Sequence, residues 1–283
     1  MDMAVNAISL LNFALECLDR IQLAREFEDD FATYQLKLDV VQIRLSRWGE
    51  VAGVTVSNGK NNEQGPQLTG NKPTQDPQGT QGVQGGAAEA DTIKKAEEIL
   101  GEIQDTIFKA QRDAKRMRTN LDMSSEQPID PDISVPSDLK KIRARLRECL
   151  RKRRARAATA ADSLKWAFYK RAHFDKFVRD ISALISDLEN LFPKDTQEKL
   201  AELSGEECKG IGKSNLEELK DVAQDCDPWL EKAAEETLIN SSRAGTYITQ
   251  SHNSGLVTGI HHGDVKGVSI GNNNKTSNNW GRS

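Results

Sequence analysis

Apolar residues recur at three- and four-residue intervals through most of the first 240 positions, the spacing that gathers them on one face of an α-helix. The first such segment, Met3 to Leu18, is apolar at Val5, Ile8, Leu10, Leu11, Phe13, Ala14, Leu15 and Leu18, and is interrupted by Asn6, Ser9, Asn12, Glu16 and Cys17. About 20 apolar residues span a bilayer, so this stretch is short for a span and carries a carboxylate. It reads as a core helix of the resting protein, and it is also the most membrane-compatible part of the chain. A second helix is predicted from about Asp29 to Trp48, on Phe31, Tyr34, Leu38, Val41 and Leu45, ending at Gly49.

From Gly53 to Gly86 the composition shifts to Gly, Asn, Gln, Thr and Pro without periodicity, which predicts a disordered internal loop within 53–90. Order is expected to resume at Asp91, acting as a cap, with Ile93, Ala96, Ile99, Leu100, Ile103, Ile107 and Ala110 on the buried face of a helix reaching about Asn120. Pro128, Pro131 and Pro136 mark a connection. The next helix, capped by Ser137 or Asp138, is predicted to run through Leu139, Ile142, Leu146 and Leu150 towards Trp166 and Tyr169. Another covers Ala172 to Phe192 and stops at Pro193. Shorter helices are expected at Gln197 to Leu203 and at Ser214 to Leu238, the latter interrupted at Pro228. No run of alternating strands precedes residue 245, so the body reads as an all-α helical bundle.

The pattern changes in the tail, residues 241–283. Glycine recurs every fourth residue (Gly255, Gly259, Gly263, Gly267, Gly271), between Val257, Val265, Val268 and Ile270, and asparagines such as Asn274 follow. Glycine costs a helix about 1 kcal/mol relative to alanine, whereas an extended chain sets i, i+2 and i+4 on one face. Glycines so aligned allow close backbone approach, and in-register asparagines can stack as amide ladders, so the tail reads as amyloid-prone. A glycine-rich terminus serving only as a linker is the competing reading.

Charge and chemistry narrow the functions on offer. The formal net charge is −4, with 37% hydrophobic and 29% charged residues, so nucleic acid is not an expected partner. The charges are unevenly placed, however: Arg143, Arg147, Arg151, Arg153 and Arg154 crowd one segment with Lys140, Lys141 and Lys152. That segment reads either as a basic surface for anionic lipid head groups or as a solvated helix face. Cys17, Cys149, Cys208 and Cys226 show no metal-ligand spacing and read as reduced thiols in an intracellular protein. His252, His261 and His262 likewise lack ligand partners. No phosphate-binding loop, nucleophile elbow or HExxH occurs, so neither an enzyme nor a cofactor is expected.

Two blocks resemble a known family. Ile21-Gln22-Leu23, Arg25, Phe27 and Asp30, then Tyr34-Gln35-Leu36-Lys37-Leu38-Asp39 and Arg44-Leu45-Ser46-Arg47-Trp48-Gly49-Glu50, resemble the amino-terminal signature of the fungal HeLo domain, also called the prion-inhibition and propagation domain. Lys165-Trp166-Ala167 with Tyr169, and Asp187-Leu188-Glu189 with Leu191-Phe192-Pro193, resemble its later part. The resemblance covers roughly residues 3–238 and implies a HeLo-like helical domain over 1–240. It further implies a cell-death executioner or prion-inhibition protein of the heterokaryon-incompatibility type. In such a protein, templated stacking of the tail releases the apolar amino-terminal segment to permeabilise membrane.

By position that segment is Met3 to Leu18, and two acids that matter in the family align with Glu16 and Glu98. The partners implied are copies of the chain (a dimer at rest being one arrangement, a fibril when templated), a sensor protein with a matching amyloid motif, and anionic membrane. The protein would be cytoplasmic at rest and membrane-associated on activation. The tail lacks the paired charged repeats of the best-known prion member. Val268-Ser269-Ile270-Gly271 with Asn274 instead resembles the core of RHIM-type motifs, with Ser269 where glutamine is usual. A soluble adaptor that binds polyanions through its basic helix is the alternative from another class.

Overall fold

The computed structural model describes residues 2–54, 84–120, 129, 135–153 and 166–243. The chain divides into a compact unit, Met1–Thr237, and a second, Leu238–Ser283. The tail from 244 onward, with every residue named as its amyloid core, lies outside the described residues, as do most of the internal loop and Arg154.

The body is the all-α bundle that the periodicity predicts. The described helices are α1 (Asp2–Asp19), α2 (Phe31–Val51), α3 (Gln84–Asn120), α4 (Ser137–Arg153), α5 (Arg171–Asn190), α6 (Lys194–Cys208), α7 (Lys213–Ala223) and α8 (Pro228–Arg243). A 3₁₀ turn over Arg25–Asp30 leads into α2. Helix α2 is central: α1, α4, α5, α6 and α7 all pack on it, while α3 lies across α1 and α5.

Local chemistry explains where these helices begin and end. Helix α2 passes Gly49 and stops at Gly53, whose φ of +68° supplies the left-handed residue of a Schellman cap. There Val54 N–H donates to the Gly49 carbonyl at 2.9 Å and Gly53 N–H to that of Glu50 at 3.1 Å. At the far end of the bundle, Asp227 Oδ1 accepts the Leu230 N–H at 3.1 Å, an N-cap, and Pro228 occupies the first helical position, where its missing donor costs nothing. The Pro228 break therefore separates α7 from α8 as expected. Gly210, with φ +79°, turns the chain between α6 and α7.

Three expectations are corrected. Helix α3 starts at Gln84, within the stretch expected as loop, because Ala87, Ala88 and Ala90 are strong helix formers that outweigh the glycines before them. Asp91 is consequently inside the helix and pairs with Lys95 one turn on, at 2.8 Å, rather than capping it. Helix α4 ends at Arg153, and Trp166–Phe168 is a strand, β2, pairing in parallel with β1, Ile21–Leu23. Three residues are too few to show alternation, and all three of β2 are buried, so its apolar run resembles a continuation of the helix. Around β2 lies an aromatic cluster in which Phe168, Phe174, Phe177 and Trp166 meet at centroid distances of 4.9–6.2 Å.

Candidate functional site: an apolar terminal helix on a charge-clamped bundle

Helix α1 sits at the edge of the bundle against α3 and α2. Ala7, Leu11, Ala14, Leu15 and Leu18 are buried, a stripe at i, i+4, i+7, i+8 and i+11. Of the other residues named for membrane insertion, Ile8, Leu10 and Phe13 are half-buried and Val5 is 62% exposed. The ring of Phe13 lies 5.2 Å from that of Phe108 on α3. Gln42 Nε2 of α2 donates to the Leu15 carbonyl at 2.8 Å. No described helix is long and apolar enough to cross a membrane, α1 included.

Glu16 faces outward beside α1's apolar stripe and pairs with Arg20 one turn on. This pairing answers the desolvation that a carboxylate in an apolar segment would otherwise suffer. Glu98 is a surface residue of α3, 63% exposed, with Lys94 Nζ at 4.0 Å. Each acid thus has a cation four residues away, Arg20 just past the end of α1 and Lys94 within α3.

The interior of α2 has a different chemistry. Arg44 is buried with all five of its N–H groups engaged. Its Nε and Nη2 hold Glu189 of α5 at 3.0 and 2.6 Å, Nη1 donates to the Ser182 and Cys226 carbonyls, and Nη2 also reaches Ser186 Oγ. Arg47 is fully buried between two carboxylates: Nε and Nη2 meet Glu207 of α6 at 3.2 and 2.5 Å, and Nη1 and Nη2 meet Asp227 at 3.1 and 2.8 Å. These two acids push its pKa above the ordinary arginine value despite burial, so the charge is permanent. Asp227 therefore caps α8 and neutralises Arg47 at once. Trp48 Nε1 donates to the Leu188 carbonyl at 3.1 Å.

Two of the five arginines assigned to a basic surface belong to this interior. Arg143 is buried with Nε 2.5 Å from Asp39 Oδ2, and Arg153 is buried between Glu50, at 2.6 Å, and Glu207. They lie on the face of α4 that also carries Ile142, Leu146 and Leu150, where acids of α2 and α6 draw them inward. Arg147 and Arg151 do stay exposed, beside Lys140, Lys141 and Lys152. Burial keeps the Asp39 carboxyl above its ordinary range, against the pull of Arg143 and Arg147.

All four cysteines are free thiols. Burial pushes Cys17 and Cys226 up to about 11 and Cys208 up to about 12, and raises Cys149, so at neutral pH they remain protonated and weakly nucleophilic. No group of three or more metal-ligating side chains occurs among the described residues.

Nothing in the periodicity of α2 signals that Asp39, Arg44 and Arg47 point inward. Their partners are distant in sequence, but the signal lay in the two blocks of resemblance. Arg44, Arg47, Trp48 and Glu50 come from the first, and Glu189 and Leu188, which accept from Arg44 and Trp48, come from the second, whereas Glu207 and Asp227, the partners of Arg47, lie in neither.

An apolar terminal helix packed on a bundle whose other helices are joined by buried arginine–carboxylate pairs defines the class as an all-α domain with a charge-paired interior. The chain belongs to the HeLo family, described as prion-inhibition and propagation, whose match extends over residues 4–224. It is 28% identical over 235 residues to heterokaryon incompatibility protein s of Podospora anserina, an alignment covering 82% of this chain and 71% of that protein. Heterokaryon incompatibility protein S of Podospora anserina is 27% identical with the same coverage. The solved HET-s N-terminal domain superimposes with a TM-score of 0.67 at 24% identity, covering 83% of this chain and 98% of the solved one. A doubly substituted variant of that domain gives a TM-score of 0.66 at the same identity, covering 82% and 98%. These likenesses establish the fold.

Proposed function

We propose that the chain is an amyloid-triggered cell-death executioner or prion-inhibition protein of the heterokaryon-incompatibility type. In the resting state α1 packs on the bundle. Templated β-stacking of the tail then releases α1, which enters and permeabilises the membrane. The partners are copies of the chain, a sensor protein bearing a matching amyloid motif, and an anionic membrane. The protein works without catalysis or cofactor, in the cytoplasm until activated.

The observation that carries this reading is how α1 is held. None of its described charged side chains is buried, whereas α2, α4, α5 and α6 are tied to one another by ion pairs with both partners inside. Apolar packing transfers readily from a protein surface to a lipid interface, because the helix exchanges one apolar environment for another. A buried arginine–carboxylate pair cannot make that exchange without leaving an uncompensated charge. The polyanion-adaptor alternative is weakened because Arg143 and Arg153 are consumed by internal carboxylates.

The test is leakage of dye from anionic vesicles by the full chain, with and without seeds of fibrils formed by residues 241–283. Seed-dependent leakage that is lost when residues 1–18 are removed supports the reading. A tail that stays soluble, or leakage indifferent to α1, would refute it.

A further inference from the structure

Two cavities flank β2, and their chemistry differs. One, of about 120 Å³, is bordered by Lys109 and Lys176 but also by Asp113 and Asp180, so its charges balance. The other, of about 360 Å³, opens between the last turns of α3 and β2, and its volume falls within the ~300–1,000 Å³ of small-molecule sites. Its apolar wall is Trp166, Ala167, Tyr169 and Ala114, all buried. Its rim carries Arg112, Lys115 and Arg118, with no acidic residue among the described residues that line it.

The three cations follow one another at three-residue steps along α3. All are exposed and none joins an ion pair among the described residues. Other exposed cations, Lys94, Lys95, Arg116, Lys152 and Lys176 among them, are instead neutralised by a carboxylate one turn away. Arg118 also lies in the last turn of α3, where a cation favours the helix dipole, but that accounts for one of the three. An aromatic wall beneath converging unneutralised cations suits a ligand with an apolar body and an anionic head.

We propose that this cleft binds a single-chain anionic amphiphile, with its phosphate head among Arg112, Lys115 and Arg118 and its alkyl chain along Trp166 and Tyr169. The site belongs to the packed domain and does not depend on conversion of the tail or departure of α1. Binding can therefore succeed or fail independently of the proposed function.

The test is isothermal titration calorimetry of the full chain with decyl phosphate below its micellar concentration, against decylphosphocholine and inorganic phosphate. Saturable binding of decyl phosphate to one site is expected, about tenfold or more tighter than either comparator. The triple variant R112Q/K115Q/R118Q should lose that preference with its circular dichroism unchanged, because the three side chains are exposed. A control variant K109Q/K176Q at the neutral cavity should bind normally. Equal binding of decylphosphocholine would reduce the site to an apolar slot, and equal binding of phosphate to a plain basic patch. Either result, or a triple variant that binds as well as the parent, overturns the assignment.

Discussion

Helices α1 and α2 lie against each other, yet they are held by opposite means. Burial of Leu11, Leu15 and Leu18 stabilises the packing of α1 by about 2 kcal/mol per side chain, without direction and without a charge left behind on departure. Helix α2 carries Asp39, Arg44 and Arg47 into the interior and depends on particular partners in α4, α5, α6 and the cap of α8. Buried ion pairs add little net stability over well-packed apolar residues, but breaking one is costly. The contrast is what the proposed release of α1 rests on: apolar packing on one helix, buried ion pairs on the other.

The largest effect is expected where that frame is broken. Arg47→Met leaves Glu207 and Asp227 buried without their central cation, and should cost about 3–5 kcal/mol or prevent folding. Thermal unfolding of the variant checks this, and a loss below 1 kcal/mol would mean that the clamp is not what holds α2. Leu15→Ala on the edge helix should cost about 2 kcal/mol, the low end for such truncations, because α1 can settle into the space. If α1 is separable, hydrogen exchange in Leu15→Ala accelerates in α1 and stays slow in α2.

Acid should weaken a third contact. Glu26 accepts from Lys170 Nζ at 2.8 Å and from the Arg171 N–H at 2.9 Å, tying the turn before α2 to the start of α5. The Lys170 hydrogen bond leads in holding its carboxyl below the ordinary glutamate value. The folded state therefore binds this proton less readily than the unfolded state. The stabilisation is present above the unfolded carboxylate value and is lost as pH falls through the folded one. The pair is at the surface, so salt should shrink the effect. A Glu26→Gln variant should melt lower than the parent at neutral pH and approach it in acid. A constant gap across that range would contradict the assignment.

The smallest effect is expected at Glu16. Its pairing with Arg20 is half-buried and spans a single turn at the end of α1, so Glu16→Ala should alter stability by no more than about 0.5 kcal/mol. Any larger change in seeded vesicle leakage by that variant would then report on release or insertion rather than on folding.

Much of this contrast could be read from the residues, and the part that could not has a physical reason. The stripe Leu11, Leu15, Leu18 shows itself by spacing alone, as do the faces of α3 and α5, because apolar burial needs only a period. Arg143 and Arg153 do not, since an arginine is written identically whether it faces solvent or a buried carboxylate 104 or 54 residues away. Trp166 reads as the continuation of a helix for a related reason: its strand partner is Ile21, far away in the sequence. Arg44, Arg47 and Glu189 stand in the blocks that resemble the family with no role attached to them, and only the fold shows the ion pairs they make.

The central claim is that α1 can leave while the clamped frame stays folded. Native-state hydrogen exchange of the full chain in rising denaturant tests it most directly, by following amides of α1 and α2 side by side. The account predicts that α1 amides exchange through a separate opening of lower free energy, while those around Arg44 and Arg47 exchange only with global unfolding. If both helices exchange together along the global isotherm, α1 is an integral part of the core and the mechanism of release is wrong.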